Sequence, residues 1–416
     1  MGDCFITRRG GGKSSGLYVW KKYEVILIPY LSFIGNEDFT LKTYNTTKNW
    51  DGMLQYSTNG STWNTWNGTE ISSVGNKLYL RGTGNTKITG DSSDYRFVFT
   101  GTSALKVACK GNIESLLDCK TVSAGGHPTM ADHCYRSMFS GCRALTAAPA
   151  LPATTLANGC YNSMFNGCRS LTTAPELPAT TLANYCYNSM FSGCRSLTTA
   201  PELPATTLTE NCYQGMFQYC TSLTTAPSLP ATTMAEDCYS SMFYGCTALT
   251  TAPELPATTL ATYCYQNMFD GCTSLTTAPE LPATTLTNSC YSGMFSGCTA
   301  LTTAPELPAT TLANGCYQNM FRDCTALTTP PSVLPATTLT NSCYWSMFGG
   351  CTSLTTAPAL PATTMAIYCC QNMFYKCTSL VSTPELPATR LVRGCYSGMF
   401  SGCTKIKFST TQTGEY

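Results

Sequence analysis

Charge is scarce in this chain. Asp, Glu, Lys and Arg make up 11% of its 416 residues, and 24 Lys+Arg nearly balance 23 Asp+Glu. Ordinary soluble domains carry about a quarter charged residues. A field this weak gives no steering toward nucleic acid or an anionic membrane, and neither is expected as a partner. Long apolar runs are also missing. The longest, Tyr23 to Ile34, falls short of the roughly 20 residues that span a bilayer and contains Glu24 and Pro29, so membrane insertion is not expected. Met1 to Lys13 has paired arginines but no apolar segment behind them, which excludes a secretory signal. Ile6 stands where a myristoylation motif at Gly2 needs Ser or Thr. The mature protein is expected to begin at or near Met1 and to reach any extracellular site by another route. Histidine is limited to His127 and His133, too few to serve as bases or ligands throughout the chain.

What is abundant is repetition, which has to be read before any local pattern. Cys-Tyr recurs at Cys134, Cys160, Cys186, Cys212, Cys238, Cys264, Cys290 and Cys316, 26 residues apart. After one extra residue in Pro330-Pro331-Ser332-Val333 it resumes at Cys343, then Cys369 (where Cys370 replaces the Tyr) and Cys395. A second Cys follows each first one by eight residues, from Cys142 to Cys403. The array therefore has eleven copies, one of them CYNSMFNGCRSLTTAPELPATTLANY from Cys160 to Tyr185.

Within that unit Cys160, Tyr161, Met164, Phe165, Cys168 and Leu171 fall in a sector of about 140° at helical pitch, which predicts a short helix ending near Gly167. Pro175 and Pro178 forbid helix beyond it, and the Thr-rich segments around them predict short strands. One such coil cannot bury its own apolar face, but a stack can. At about 4.8 Å per coil the array would be roughly 50 Å long, with columns of Leu, Ala, Met, Phe and Cys as its core.

MFxGCTSLTTAPELP and ATTLAxxCY resemble the BspA-type leucine-rich repeats of bacterial surface proteins, which share an aromatic–x–x–Cys–x–x–Leu core. The resemblance covers about Cys134 to Lys407, with residues 112–133 as a degenerate capping coil. It implies a helix-and-strand leucine-rich-repeat solenoid over 134–408, facing the outside of a bacterial cell or a phage virion, with a role in adhesion or host contact. The chain departs from the common pattern in having Ala-Pro where many copies have paired Ile, and in its second Cys per unit.

Residues 1–16 read as a flexible arm and 409–416 as a tail. Between the arm and the array, 17–111 hold four of the five tryptophans and read as a small all-β sandwich-like domain. Its predicted strands are Leu17–Ile28, Phe39–Tyr44, Met53–Ser57, Lys77–Arg81 and Tyr95–Thr100, with a hairpin at Asn59-Gly60. STNGSTWNTWNGTEISS…KLYLRGTGNT resembles domains preceding such repeats in gut-bacterial surface and phage-borne proteins, and MGDCFITRRGGG resembles the start of some prophage-encoded structural proteins. On that resemblance this domain attaches the protein to a larger assembly.

Motifs that would carry chemistry do not hold up. Gly10-Gly-Gly-Lys13-Ser14 lacks the earlier Gly of a phosphate-binding loop, with Thr7 in its place. The 26 cysteines are not in close metal-binding pairs. Helical spacing would put Cys160 and Cys168 about 12 Å apart, beyond disulfide reach. They are expected to pack as free, small apolar side chains, with pairing between coils geometrically open. No catalytic, cofactor or metal site is expected, and no enzymatic activity.

Two surfaces remain as candidate binding sites. LTTAPELPATT barely changes between copies, whereas positions beside the Cys-Tyr and Met-Phe pairs vary: Asn162, Gln214, Gln218, Tyr244, Gln266, Asp270, Arg322, Trp345 and Tyr375. This variable face either drifts neutrally or recognises a specific cell-surface partner. Glu176, Glu202, Glu254, Glu280, Glu306 and Glu385 form a column beside paired threonines such as Thr172-Thr173 and Thr180-Thr181. That ladder is either simply solvated or suited to a repeating ligand such as a polysaccharide. The function expected is non-enzymatic adhesion or receptor recognition. A structural spacer and a Thr-ladder ice-binding surface are the alternatives.

Overall fold

The computed structural model describes residues 29–406. The arm, the strand expected at Leu17–Ile28 and the tail lie outside those residues. The N-terminal part is strand-rich, as its alternating patterns require. Its strands are β1 (Leu31–Gly35), β2 (Thr40–Thr43), β3 (Met53–Ser57), β4 (Asn64–Trp66), β5 (Ile71–Ser72), β6 (Lys77–Thr83), β7 (Phe97–Thr100) and β8 (Val107–Lys110). One sheet has the order β4-β3-β6-β1-β8, continued by β9 (Leu145–Ala147), and the other has the order β5-β2-β7. Leu78 and Leu80 on β6 are buried, while Lys77 is exposed and Tyr79 and Arg81 half-buried. Rings join the two sheets: Phe33 and Phe99 have centroids 5.4 Å apart, and Trp66 meets Phe97 edge-on at 5.5 Å. The hairpin at Asn59-Gly60 forms between β3 and β4. Its loop is longer than two residues, and the Asn59 carboxamide oxygen accepts the N–H groups of Ser61 and Thr62, both at 2.9 Å.

The solenoid is present, but the segment predicted as a helix in each coil is not helical. The helix described, α1 (Ser115–Ser123), precedes the first coil. From Cys160 to Cys168 the backbone runs as successive β-turns. The N–H groups of Asn162, Met164, Asn166 and Cys168 reach back three residues, to Gly159, Tyr161, Ser163 and Phe165 carbonyls at 3.0–3.1 Å. The intervening N–H groups of Tyr161, Ser163, Phe165 and Gly167 donate instead to Cys186, Asn188, Met190 and Ser192 of the next coil, at 2.7–3.0 Å. Every fourth residue is left-handed: Gly159 (φ 56°), Ser163 (55°) and Gly167 (72°). An α-helix closes its hydrogen bonds internally and excludes positive φ. The turn run instead directs half of its donors along the stack. The expected strands are reduced to single parallel bridges between coils, in two threonine columns such as Thr225↔Thr251↔Thr277 and Thr285↔Thr311. Prolines at each coil keep them short.

The core columns form as the apolar spacing requires. Cys160, Tyr161, Met164, Phe165, Cys168 and Leu171 are fully buried, as are their counterparts in the middle coils. Phenylalanines from Phe139 to Phe400 stack nearly parallel with centroids 5.5–5.7 Å apart. Tyrosines from Tyr135 to Tyr344 stack alongside at 5.7–6.0 Å. Such offset stacks add favourable ring contact to the burial of large apolar area. The 25 described cysteines are free thiols. Those of the second column also donate: Cys168 Sγ lies 3.0 Å from the Phe139 carbonyl of the preceding coil, and Cys220 Sγ 3.1 Å from that of Phe191. Burial pushes the Cys220 thiol up to about 12, so these groups stay protonated donors. The inserted residue near Val333 is absorbed on the outside, and Leu334 keeps its place in the core.

The sandwich and the solenoid share one core. β8 pairs in parallel with β9 of the first coil, and Ala147 bridges onward to Thr173. Phe97 packs edge-on against Phe139 at 5.7 Å, and its N–H donates to the Met138 carbonyl at 2.7 Å. Asn112 bridges Ala150. The sheet thus runs through the division drawn from sequence at residue 111, and the sandwich covers the otherwise open end of the first coil.

Candidate functional site

The turn run generates a ridged outer face because its residues alternate two inward, two outward. The outward positions carry the variable residues. Asn162, Gln214, Gln218, Tyr244, Gln266, Asp270 and Trp345 are half-buried, and Arg322 and Tyr375 are exposed. Several of them meet. Tyr244 packs edge-on against Tyr219 at 5.3 Å. The Asn188 carboxamide donates to Gln214 at 2.7 Å. Burial raises the Asp270 carboxyl to about 6, opposed by a Ser296 hydrogen bond and the Arg322 charge. Arg322 itself pairs with its neighbour Asp323 at 3.4 Å, and Lys376 lies 5.1 Å over the Tyr375 ring. The Trp345 indole N–H is buried without a hydrogen-bond partner among the described residues.

The left-handed positions add residues that the sequence reading missed. Tyr185, Tyr219 and Tyr263 stand there with positive φ and are at least 37% exposed. Tyr219 occupies a column held in most coils by glycines such as Gly193, Gly245 and Gly271. Its ring lies so close over Gly245 that a Cβ there would come within 2.7 Å of it. A bulky ring in a column that is glycine in most coils, with Asp323 and Lys376 as the other exceptions, was the available signal. The Tyr185 hydroxyl donates to Glu210 at 2.8 Å, extending the ridge N-terminally.

Glu176, Glu202, Glu254, Glu280, Glu306 and Glu385 are all exposed, on the side of the Thr columns. The column is interrupted by Ser228 and again at the insertion, where Glu306 accepts the Ser332 N–H at 3.0 Å and its hydroxyl at 2.8 Å. Among the described residues no group of three or more His, Cys, Asp or Glu is placed to hold a metal ion, and no helix is long and apolar enough to cross a membrane.

The repeat region matches the model of the BspA type leucine rich repeat region in six copies, over residues 132–276, 236–381 and 317–414. The chain belongs to this family. Among solved structures the BspA-type chain is similar to a leucine rich cell surface protein from Faecalibacterium prausnitzii A2-165, with 19% identity, 68% of this chain and 82% of that chain covered, and a TM-score of 0.34. It is also similar to a leucine-rich repeat protein from Bacteroides ovatus ATCC 8483, with 17% identity, coverage of 74% and 79%, and a TM-score of 0.33. No curated protein matches it.

Proposed function

We propose that this BspA-type protein is a non-enzymatic adhesion or receptor-recognition protein that meets a cell-surface protein or glycan through its turn ridge. The observation that carries the reading is the cluster of Tyr219 and Tyr244, flanked by Gln214, Gln218 and Asp270 on adjacent coils. Tyrosine offers a large, rigid contact with few rotatable bonds, and amides beside it supply adaptable hydrogen bonds. The family supports display on a bacterial surface, and the chain's resemblance to prophage-borne proteins adds a virion as a second carrier, with the N-terminal sandwich as the attached end.

The test is binding of the labelled full chain to intact bacterial cells and to a glycan array. Selective, saturable binding is expected, weakened at least tenfold by Tyr219→Gly with Tyr244→Ala and unchanged by Glu254→Gln with Glu280→Gln. The reverse pattern would move recognition to the Thr/Glu column, whose regular exposed side chains suit a repeating polysaccharide. Binding to no cell or glycan would make the solenoid a spacer. Thermal hysteresis and ice-crystal shaping would be needed to support an ice-binding surface.

A further inference from the structure

Where the sandwich meets the first coils, a cleft runs between the β7 edge with its following loop and the outer edge of coils one and two. Arg96, Lys106, Arg143 and Arg169 line it, together with Thr102 and Ser170. Lys106 Nζ donates to Ser170 Oγ at 2.7 Å, which ties the loop to the second coil. The carboxylate at the rim, Glu37, is taken up by the Thr102 N–H at 2.9 Å and hydroxyl at 2.6 Å. Carboxylates are absent from the cleft lining itself.

The repeat supplies a second observation, independent of the cleft. The position after the second Cys is Arg143, Arg169 and Arg195 in the first three coils, then Thr221, Thr247, Thr273, Thr299, Thr325, Thr352, Thr378 and Thr404. Arginine replaces threonine only in the coils at or next to the cleft. All three arginines are exposed and project from successive coils, where neighbouring Phe139 and Phe165 rings stand 5.6 Å apart. In a chain with so few charges, this makes a line of guanidinium groups that leads out of the cleft.

We propose that this cleft and its arginine column bind an anionic glycan, a linear polymer with oxyanions repeated along its length. Guanidinium forks grip sulfate, phosphate or carboxylate oxygens in pairs, and their one-coil spacing lets a single chain engage several at once. The cleft takes in Ser140 and Gly141 at the N-terminal end of the turn face, three coils from the Tyr219–Tyr244 cluster, and neither reading depends on the other.

Fluorescence anisotropy of the full chain tests it with four probes: a heparin dodecasaccharide, its desulfated counterpart, a phosphorylated mannose oligosaccharide and single-stranded DNA of equal charge. Heparin or the phosphorylated oligosaccharide is expected to bind, and which one does identifies sulfate or phosphate as the oxyanion. Binding should weaken as salt screens the contacts, and at least tenfold in Arg143→Gln with Arg169→Gln. The charge-matched pair Arg390→Gln with Arg393→Gln, at the far end, should stay within twofold of the unsubstituted protein. Thermal melts of both variants establish that they fold. Equal loss in both variants, no loss in the cleft variant, binding by neither anionic polymer, or DNA binding as tight as the best glycan would each overturn the proposal.

Discussion

Asp270 is the residue whose ionisation most plainly opposes the fold. Burial beside the stack raises its carboxyl to about 6, so in the folded chain it holds a proton that the unfolded chain releases near the usual carboxylate value. Between those pH values the folded state binds more protons, and stability falls as pH rises through the window. Asp270→Asn should therefore raise stability at pH 7 by about 1 kcal/mol after allowance for partial exposure. The gain should vanish below pH 4, as read by denaturant melts across pH. At this level the sequence was informative about the core, since every apolar position of Cys160–Leu171 is buried as its spacing demanded. The second-column cysteines were legible as buried thiols. Their donation to a phenylalanine carbonyl one coil away was not, because it depends on which backbone groups the neighbouring coil leaves facing them.

Each coil's turn run depends on left-handed positions spaced four residues apart. Gly394, Gly398 and Gly402 show that spacing in one unit. The paired apolar residues also repeat every four, as in Cys160-Tyr161 and Met164-Phe165. Over so short a stretch a period of four and a period of 3.6 select nearly the same apolar positions, so the burial pattern was predicted correctly from the wrong backbone. The glycine spacing was the discriminating signal, partly masked where Ser, Asn or Tyr accept positive φ. Gly245 offers a test: it has φ of 69°, and a Cβ would come 2.7 Å from the Tyr219 ring. Gly245→Ala should cost about 2 kcal/mol, seen as a lowered melting temperature. Combining it with Tyr219→Gly should recover part of that loss, and strictly additive effects would deny the contact.

For the molecule as a whole, the sandwich acts as the solenoid's first cap. Phe139 is buried by Phe33 and Phe97 of the sandwich, and β9 takes its partner from β8. A segment starting at residue 116 would expose that ring and an unpaired strand edge. It should aggregate or melt well below the full chain, which light scattering and circular dichroism would show. Separate folding at the full chain's melting temperature would sink the idea. Nothing local in Val107–Lys110 announced parallel pairing with a strand from the first coil, because such pairing is specified by the assembled core rather than by the strand's own residues.

The hydrogen bonds that link coil to coil also have a mechanical consequence. They lie along the axis of the stack, so tension between the two ends loads them in parallel, one layer at a time. Under a pull the array should give way by shedding whole coils, each releasing about 26 residues of chain, or roughly 90 Å of extension. Single-molecule stretching would record this as an evenly spaced sawtooth, with one slightly longer step at the 27-residue coil that holds Val333. A molecule of this kind behaves as a tether that lengthens in increments before it breaks.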